Sequence, residues 1–524
     1  MNLRPTEIFN EYQNGCEYKS ALGTKGLFEQ NRINERFYIG DQWYGANCGA
    51  DRPLVRHNVI KRIGDYKMSQ ILREKTSMEF SAEGIPTVSF DSVSDFSGAL
   101  TEAEVNSVMA SLSDYYSVAC ERVNLSALSS AVLKNAYISG TALLYTYWNP
   151  NLKTGTFADS KRELAIKGDI SCELLKIEDV VFGDPYCEDI QSQPFIIISA
   201  KKNLEAVLRE AQIYGADMTT LTAIEESAKN GKIEVLTKLY KAYTRDGGMQ
   251  IKGIKVTRNA TVRPEFSTGL SLYPLAQFKW DSKGSSAYGE SEITYLIPNQ
   301  IAINRLITAN VWSTLSTGLP IMLINGDTVS EKITNDPGQI IKIYGSNDDV
   351  SGAVKYVTPP SHIKEFDDSI NTLINNTLTQ SGANEVALGD SKADNATALI
   401  TMRDAALLPL KIVKNRYYVF LEDVGRIWAD FWISHYGKRR IKIKKGNSYS
   451  YIPFDGDRYR GLIINTKIQV NNDTEFSQKE QLDTLLTLFD KGIITKAELL
   501  ERIPAGMVAN VNSINREVLG NDGL

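Results

Sequence analysis

Three pairs of acidic residues mark where the chain could carry hydrolytic chemistry. Two carboxylates held at a fixed separation can act as general acid and general base on a phosphodiester or glycosidic bond. The pairs are Glu290 with Glu292, Asp348 with Asp349, and Asp367 with Asp368. Neighbouring side chains point in different directions on a regular helix, however, and acids are common in turns and in first helical turns. Turn and helix-start residues are therefore the simpler interpretation, and a hydrolase acting on nucleic acid or carbohydrate stays as an alternative.

The histidines and cysteines form no pattern of metal ligands or catalytic groups. His57, His362 and His435 are far apart, and no HExxH motif occurs. No two cysteines form a CxxC pair, and their odd number argues against a disulfide framework or a zinc knuckle. They favour assembly in a reducing intracellular compartment. The cysteines are Cys16, Cys48, Cys120, Cys172 and Cys187.

Composition and charge exclude several further classes of protein. The chain has 524 residues, with 58 basic and 63 acidic side chains and a formal charge of −5. Such a chain builds sizeable cores and is not disordered, collagen-like or a coiled-coil rod. A protein that grips DNA through its overall field should be basic, so a tight DNA binder is not expected. Gly231-Lys232 is followed by Ile233, so no Walker A motif is present. We expect no metal, no cofactor, no signal peptide and no membrane span.

Hydrophobic periodicity divides the chain into two halves of different character. The N-terminal half alternates helices with strands, which predicts an α+β region. Helices are predicted over 56–78, 101–139 and 203–229, and strands over 141–148, 170–182, 194–200 and the hairpins of 232–281. In the C-terminal half, predicted helices over 291–317 and 361–381 flank three short strand-like runs within 319–358. In the first of these helices, Gln300 and Asn304 interrupt an apolar stripe.

The strongest periodic signal predicts one long helix over 396–436. Its apolar residues follow each other at spacings of four and three, which is typical of a helix-packing seam. They are Val413, Tyr417, Phe420, Val424, Ile427 and Phe431. Pro409 removes one backbone hydrogen bond and predicts a kink. A long core helix is an equally good explanation of the periodicity alone.

A basic strand follows the long helix. Six of the eight residues in 438–445 are positively charged: Lys438, Arg439, Arg440, Lys442, Lys444 and Lys445. Their alternation with isoleucine predicts a strand, paired with 461–470. The functional interpretation is a phosphate-facing patch. A solvated strand face is the favoured alternative. Two short helices are predicted within 477–503.

Several segments, in this order along the chain, resemble tailed-bacteriophage portal proteins. They are YIGDQW (38–43), HNVI (57–60), AYISGTALLYTYW (136–148), IEDVVFGDPYCEDI (177–190), AYGESEITYLIPNQIAINRL (287–306), SGANEVALGDSKADNATALITMRDAA (381–406) and FDKGIITKAELLERIP (489–504). The order and spacing of these segments carry the resemblance.

The resemblance implies a mixed portal fold of class α+β with named parts. An α/β wing would span 1–288, and paired stem helices 289–318 and 361–382 would enclose a small β clip at 319–360. A tunnel loop would follow at 383–397. The long kinked helix and returning wing strands would span 398–471, and a short helical crown 472–524. The short C-terminal region departs from larger relatives and implies no helical barrel above the crown.

The resemblance also implies a function without catalysis. Such proteins form a dodecameric head–tail connector ring at one capsid vertex, which is assembled in the host bacterial cytoplasm and becomes part of the virion. The ring is the DNA translocation channel for genome packaging and ejection. Expected partners are further copies of the chain, double-stranded DNA in transit, the terminase large subunit, major capsid and scaffolding proteins, and a head–tail adaptor. Another ring-forming head-completion protein stays as an alternative, although these are usually small.

Two sets of site residues follow from this mapping. The tunnel loop would border DNA through Asp390, Ser391, Lys392, Ala393, Asp394 and Asn395, with Lys392 as the basic group nearest to DNA. Clip contacts with a neighbouring subunit, terminase or adaptor would involve Ile340, Ile341, Ile343, Asp348 and Asp349. Three short strands are marginally stable alone, so neighbouring subunits are expected to complete the clip sheet.

Overall fold

A computed structural model confirms the α+β class. It describes residues 4–44, 54–83, 101–158, 165–243, 248–317, 321–324, 354–357, 363–383, 407–445, 448–460, 462–471, 475–495 and 499. The predicted tunnel-loop residues 390–395 and clip residues 340–349 lie outside these ranges. Every strand pairing in the described ranges is antiparallel.

The helices of the first half are shorter than the periodicity predicts. Their bounds are α1 Pro5–Ala21, α2 Leu27–Ile39, α3 Val59–Leu72, α4 Glu102–Val123, α5 Leu125–Ser139, α6 Leu204–Ile213 and α7 Met218–Glu226. The single predicted helix 101–139 is two helices, because Asn124 adopts a left-handed conformation with φ 55° and ends α4. Asparagine tolerates this conformation better than most residues, so it can serve as a helix end without glycine.

Two five-stranded sheets form the body. In the first, the order is β15–β14–β2–β3, and β9 also pairs with β2; in the second, the order is β4–β5–β6–β7–β8. The strands of the first sheet are β2 Thr141–Ala158, β3 Ala165–Leu175, β9 Leu275–Lys279, β14 Lys438–Lys445 and β15 Ser448–Asp455. The second contains β4 Val180–Phe182, β5 Phe195–Asn203, β6 Lys232–Tyr243, β7 Met249–Val256 and β8 Thr261–Ser267.

Three two-stranded pairs complete the described strands. They join β1 Lys75–Glu83 with β16 Ile463–Asn471, β10 Asp281–Ser282 with β11 Gly289–Glu290, and β12 Ile321–Ile324 with β13 Val354–Val357. The predicted pairing of 438–445 with 461–470 is therefore wrong. The basic strand β14 pairs with β15 and briefly with β2, while β16 pairs with β1 across nearly four hundred residues of sequence.

The long helix is the centre of the main core. Its described part is α10 Leu410–His435, which begins directly after Pro409. Five of the six predicted seam residues, from Tyr417 to Phe431, are buried, and Val413 packs against them. Trp428 and Trp432 are fully buried on the same helix. The seam prediction is confirmed as core packing, while residues 396–406 lie outside the described ranges.

Three further helices complete the described elements. They are α8 Glu292–Thr317, α9 Ile363–Gln380 and α11 Glu475–Asp490. Within the described ranges, no helix is long and apolar enough to span a membrane.

Candidate functional site

Helices α8 and α9 form an antiparallel pair, and the strands β12 and β13 lie between them in sequence. Asn310 donates to Asp367 at 2.7 Å, and Asn299 donates to Thr377 at 3.2 Å. From the first contact to the second, the residue number falls by eleven on α8 and rises by ten on α9. The two helices therefore run in opposite directions. This arrangement matches the positions of the predicted stem helices. Their role as a stem stays a prediction.

The polar residues inside the apolar stripe of α8 hold an extended segment of the chain. The amides of Val55, His57 and Val59 donate to Thr308 Oγ1, Asn304 Oδ1 and Gln300 Oε1 at 3.2, 3.1 and 2.9 Å. Two residues of extended chain advance about 6.6 Å, and four residues of helix advance about 6 Å. The two spacings match, so successive turns of α8 meet alternate amides. We call this set of three bonds the amide ladder.

A second contact fixes α3 against the start of α8. Lys67 Nζ lies 2.6 Å from Glu292 Oε1, and Trp280 donates to the other oxygen of Glu292 at 3.0 Å. Gln300 accepts from the first amides of α3 and so acts as its cap. Residues 55–67 therefore follow α8 over most of its length and join it to the body.

The described acidic pairs have structural partners, which argues against a carboxylate dyad. Glu290 accepts from Lys283 at 2.7 Å, and this hydrogen bond lowers the pKa of the Glu290 carboxyl. Glu292 is held by Lys67 and Trp280, and Asp367 accepts from Asn310. Asp368 is exposed, whereas Asp348 and Asp349 lie outside the described ranges.

The two histidines that the structure describes, His57 and His435, make contacts within the fold. His57 donates its backbone amide to Asn304. His435 stacks on Trp148, with ring centres 5.0 Å apart, and burial lowers the pKa of its imidazole. In the described part of the chain, no three His, Cys, Asp or Glu side chains group as metal ligands would.

The outer face of α9 is polar throughout. Its exposed residues are Lys364, Glu365, Asp367, Asp368, Ser369, Asn371, Thr372, Asn375, Asn376, Thr379 and Gln380. One of these is basic and three are acidic. A face of this kind repels phosphate weakly and offers it few cations.

The basic strand is not a single patch. Arg439 is only 4% exposed and donates to the carbonyls of Tyr436 and Gly168, at 2.8 and 3.3 Å. Ile441 and Ile443 are buried on the same face, because alternate residues of a strand point to the same side. The inclusion of Arg439 in a phosphate-facing patch is wrong.

On the opposite face of β14, Lys438 and Arg440 are exposed and Lys442 is half-buried. Lys438 lies 3.6 Å from Asp455. The side chains of Lys444 and Lys445 lie outside the part of the chain that the structure describes. The remaining patch consists of outward residues only.

A buried charged cluster lies beside Arg439. Asp169 is fully buried, and its carboxylate lies 2.8 Å from Arg122 and accepts from the Tyr436 hydroxyl at 2.6 Å. Burial raises the pKa of Asp169, and the charge of Arg122 opposes that rise. The cluster joins α4, β3 and the end of α10. Each charge has a partner, so its role is structural.

Similarity to known proteins is found among solved structures, of which 85 chains match. No family model and no curated protein matches this chain. Among solved structures, the chain is similar to one described as the neck of an empty GTA particle, computed with C6 symmetry. The identity is 10%, the match covers 91% of this chain and 97% of that one, and the TM-score is 0.36. A match with this identity and TM-score assigns no role to any residue of this chain.

One surface of α8 was missed by the sequence interpretation. The apolar stripe predicted from the sequence includes Ile293, Leu296, Ile297, Ile307, Val311 and Leu315. Leu315 is nevertheless 58% exposed, while the polar residues Gln300 and Asn304 are buried. The outward side instead carries a second stripe that includes Arg305 and Trp312. The spacing of three and four along that stripe was visible in the sequence.

Proposed function

We propose that this chain is the portal protein of a tailed bacteriophage, a ring of twelve copies at one capsid vertex. The observation that carries the proposal is the antiparallel pair α8–α9 with a β pair inserted between its helices. This unit places a small β element between two paired helices of the chain. It agrees with the stem and clip order that the sequence resemblance implies.

The chemistry of α9 supports the role of a DNA conduit. A channel must hold duplex DNA centrally without binding it tightly, and neutral or acidic walls lower the attraction to phosphate. The outer face of α9 has three acids and one lysine among its exposed residues. Repeated around a ring, this face lines the channel, and the overall charge of −5 per chain makes the assembly acidic.

In this proposal the chain is not an enzyme. The terminase large subunit supplies ATP hydrolysis and docks on the clip, which lies outside the capsid and later binds the head–tail adaptor. The wing contacts the major capsid and scaffolding proteins. The finished ring is a virion component.

Negative-stain imaging of the purified chain tests the ring. We expect rings with a central hole and a twelve-fold or thirteen-fold class average, with the copy number checked by mass photometry. A compact monomer with hydrolase activity on nucleic acid or carbohydrate would end the proposal.

Removal of the clip tests the docking role separately. We expect a chain lacking residues 326–355 to keep its α/β body and to lose binding of terminase or adaptor in a pull-down. Circular dichroism of the variant controls for folding. Retained binding of both partners would show that docking uses another surface.

A further inference from the structure

The outward side of α8 carries a stripe that no described element covers. Its members are Tyr295, Pro298, Ala302, Arg305, Ala309 and Trp312, at spacings of three, four, three, four and three. This is the spacing of a helix-packing seam. We call it the outer seam. It lies on the side of α8 opposite the buried residues Gln300, Ile303 and Asn304.

The composition of the outer seam suits contact with another protein surface. Tyr295 and Trp312 are 61% and 41% exposed, so two large rings stand in water at either end. Between them, Ala302 and Ala309 are small and allow another helix to approach closely. Large aromatic side chains gain most when a partner removes them from water.

Charge identifies the partner surface. Arg305 is exposed and has no ion pair with any residue in the described ranges. Asp368, on the outer face of α9, is also exposed and has no ion pair within those ranges. A cation in an apolar seam and an acid on a polar face are complementary. Arg305 lies on α8 and Asp368 lies on α9, so every copy of the chain carries both charges on this helix pair.

The pair cannot form easily within one chain. Asn310 lies opposite Asp367 and Asn299 opposite Thr377, so Arg305 is level with position 372. Asp368 is then four residues away, about 6 Å along the axis. Asp368 is nine residues from Thr377, which at about 100° per residue is half a turn around α9, so Asp368 points away from α8, to which Thr377 is bonded. Arg305 points away from the buried residues Gln300, Ile303 and Asn304 of α8. The two charges meet only when α9 of one copy approaches α8 of another.

We infer that the outer seam of α8 binds the outer face of α9 from a second copy, with Arg305 paired to Asp368 of that copy. The two faces are different surfaces, which makes the contact head-to-tail, and such a contact gives a ring when the rotation between successive copies closes. The inference rests on the proposed ring and names the surface that closes it. Part of each α9 face then contacts the neighbour, and the rest stays free to face the channel.

Charge reversal tests the pair. We expect Arg305→Asp and Asp368→Arg each to raise the protein concentration at half-assembly by about tenfold or more, and the double variant to restore it. Mass photometry over a concentration series measures this. Arg209→Asp, an equal charge change at an exposed position of α6, is the matched control and should leave assembly unchanged.

Cysteine cross-linking gives an independent readout. With Arg305→Cys and Asp368→Cys in one chain, oxidation should give a ladder of covalent multimers on a denaturing gel. Each single variant should give no ladder beyond that of the native cysteines. Circular dichroism confirms folding of every variant.

The outcomes separate the two proposals. If the native chain forms rings but charge reversal leaves assembly unchanged and no ladder forms, this interface is wrong while the ring stands. If the native chain stays monomeric at all concentrations, both the ring and the interface are wrong. Restoration by the double variant supports the interface directly.

Discussion

Gln300 and Asn304 lie one turn apart on α8 and are joined by a 3.0 Å hydrogen bond from Gln300 Nε2 to Asn304 Oδ1. Both are buried, and together they accept from the amides of His57 and Val59. Asn304 also donates to Gln42 at 2.6 Å. The two side chains therefore replace the backbone partners that an extended segment and a helix start would otherwise lack.

The amide ladder makes Asn304 a determinant of stability. We expect Asn304→Leu to lower the free energy of unfolding by about 2–4 kcal/mol, because it leaves the backbone N–H of His57 and the side-chain oxygen of buried Gln42 without their partners. Urea denaturation at fixed protein concentration measures the loss. Asn371→Leu, on the exposed face of α9, should change stability by less than about 0.5 kcal/mol. Equal effects of the two substitutions would contradict the role of the ladder.

Periodicity predicted those parts of the fold that depend on local pattern. The seam of α10 was predictable because its apolar residues repeat at helical spacing, and a buried helix needs such a stripe. Gln300 and Asn304 were recognisable as polar interruptions of a similar stripe. Their partners lie more than 240 residues away in sequence, and no local pattern specifies such a contact.

Two predictions were wrong: the strand that pairs with β14, and the inclusion of Arg439 in an exposed patch. The first depends on long-range strand pairing and the second on which face of the strand is buried. Strand β16 pairs with β1 rather than with β14, and the sequence of neither strand selects its partner. For Arg439 a signal existed, because Ile441 and Ile443 share its alternation and favour the inward face. The high charge of the segment obscured that signal. Of the candidate site, the stem pair was predicted, while the outer seam was missed.

The two neighbouring arginines of β14 should behave differently. We expect Arg439→Gln to lower the free energy of unfolding by about 2–4 kcal/mol, because Arg439 is buried and bonded to two carbonyls beside Asp169. Arg440→Gln should cost less than about 0.5 kcal/mol, because its side chain is exposed. Thermal unfolding followed by circular dichroism compares them. If Arg440→Gln destabilised the chain and Arg439→Gln did not, the assignment of Arg439 to the inner face of β14 and of Arg440 to its outer face would be wrong.

Lys19 should make the stability of the folded chain depend on pH in the alkaline range. Its ammonium is fully buried, donates to the carbonyls of Ile177 and Glu178 at 2.9 and 2.8 Å, and has its pKa lowered by burial to about 8. The unfolded chain binds this proton up to about pH 10.4. Between the pKa in the folded state and the pKa in the unfolded state, the unfolded chain holds more protons, so stability rises with pH. Below pH 8 Lys19 is charged in both states, and the free-energy cost of burying that charge is fully present.

Lys19→Met isolates this contribution. We expect the stability of the native chain relative to Lys19→Met to rise by about 2 kcal/mol between pH 7 and pH 9.5. The loss of two hydrogen bonds is a constant offset, so only the slope is diagnostic. Urea denaturation at several pH values measures the difference, and tyrosine titration cancels between the two chains. Parallel pH profiles would mean that Lys19 does not titrate in this range.

Lys392 is the predicted DNA contact of the tunnel loop, outside the described ranges. Isolated lysines make weak, salt-sensitive contacts that form and break as DNA slides. We expect Lys392→Glu to change the amount of DNA packaged or retained at least about twofold, because reversal of one charge per copy adds up around a ring, and to leave ring formation unchanged. An in vitro packaging assay with nuclease protection measures the first effect and negative stain the second. Lys229→Glu, an exposed lysine remote from the stem helices in sequence, is the control. If the Lys392→Glu and Lys229→Glu variants packaged equal amounts of DNA at every salt concentration, Lys392 would not be a DNA contact. If Lys392→Glu abolished ring formation, Lys392 would have a role in assembly instead.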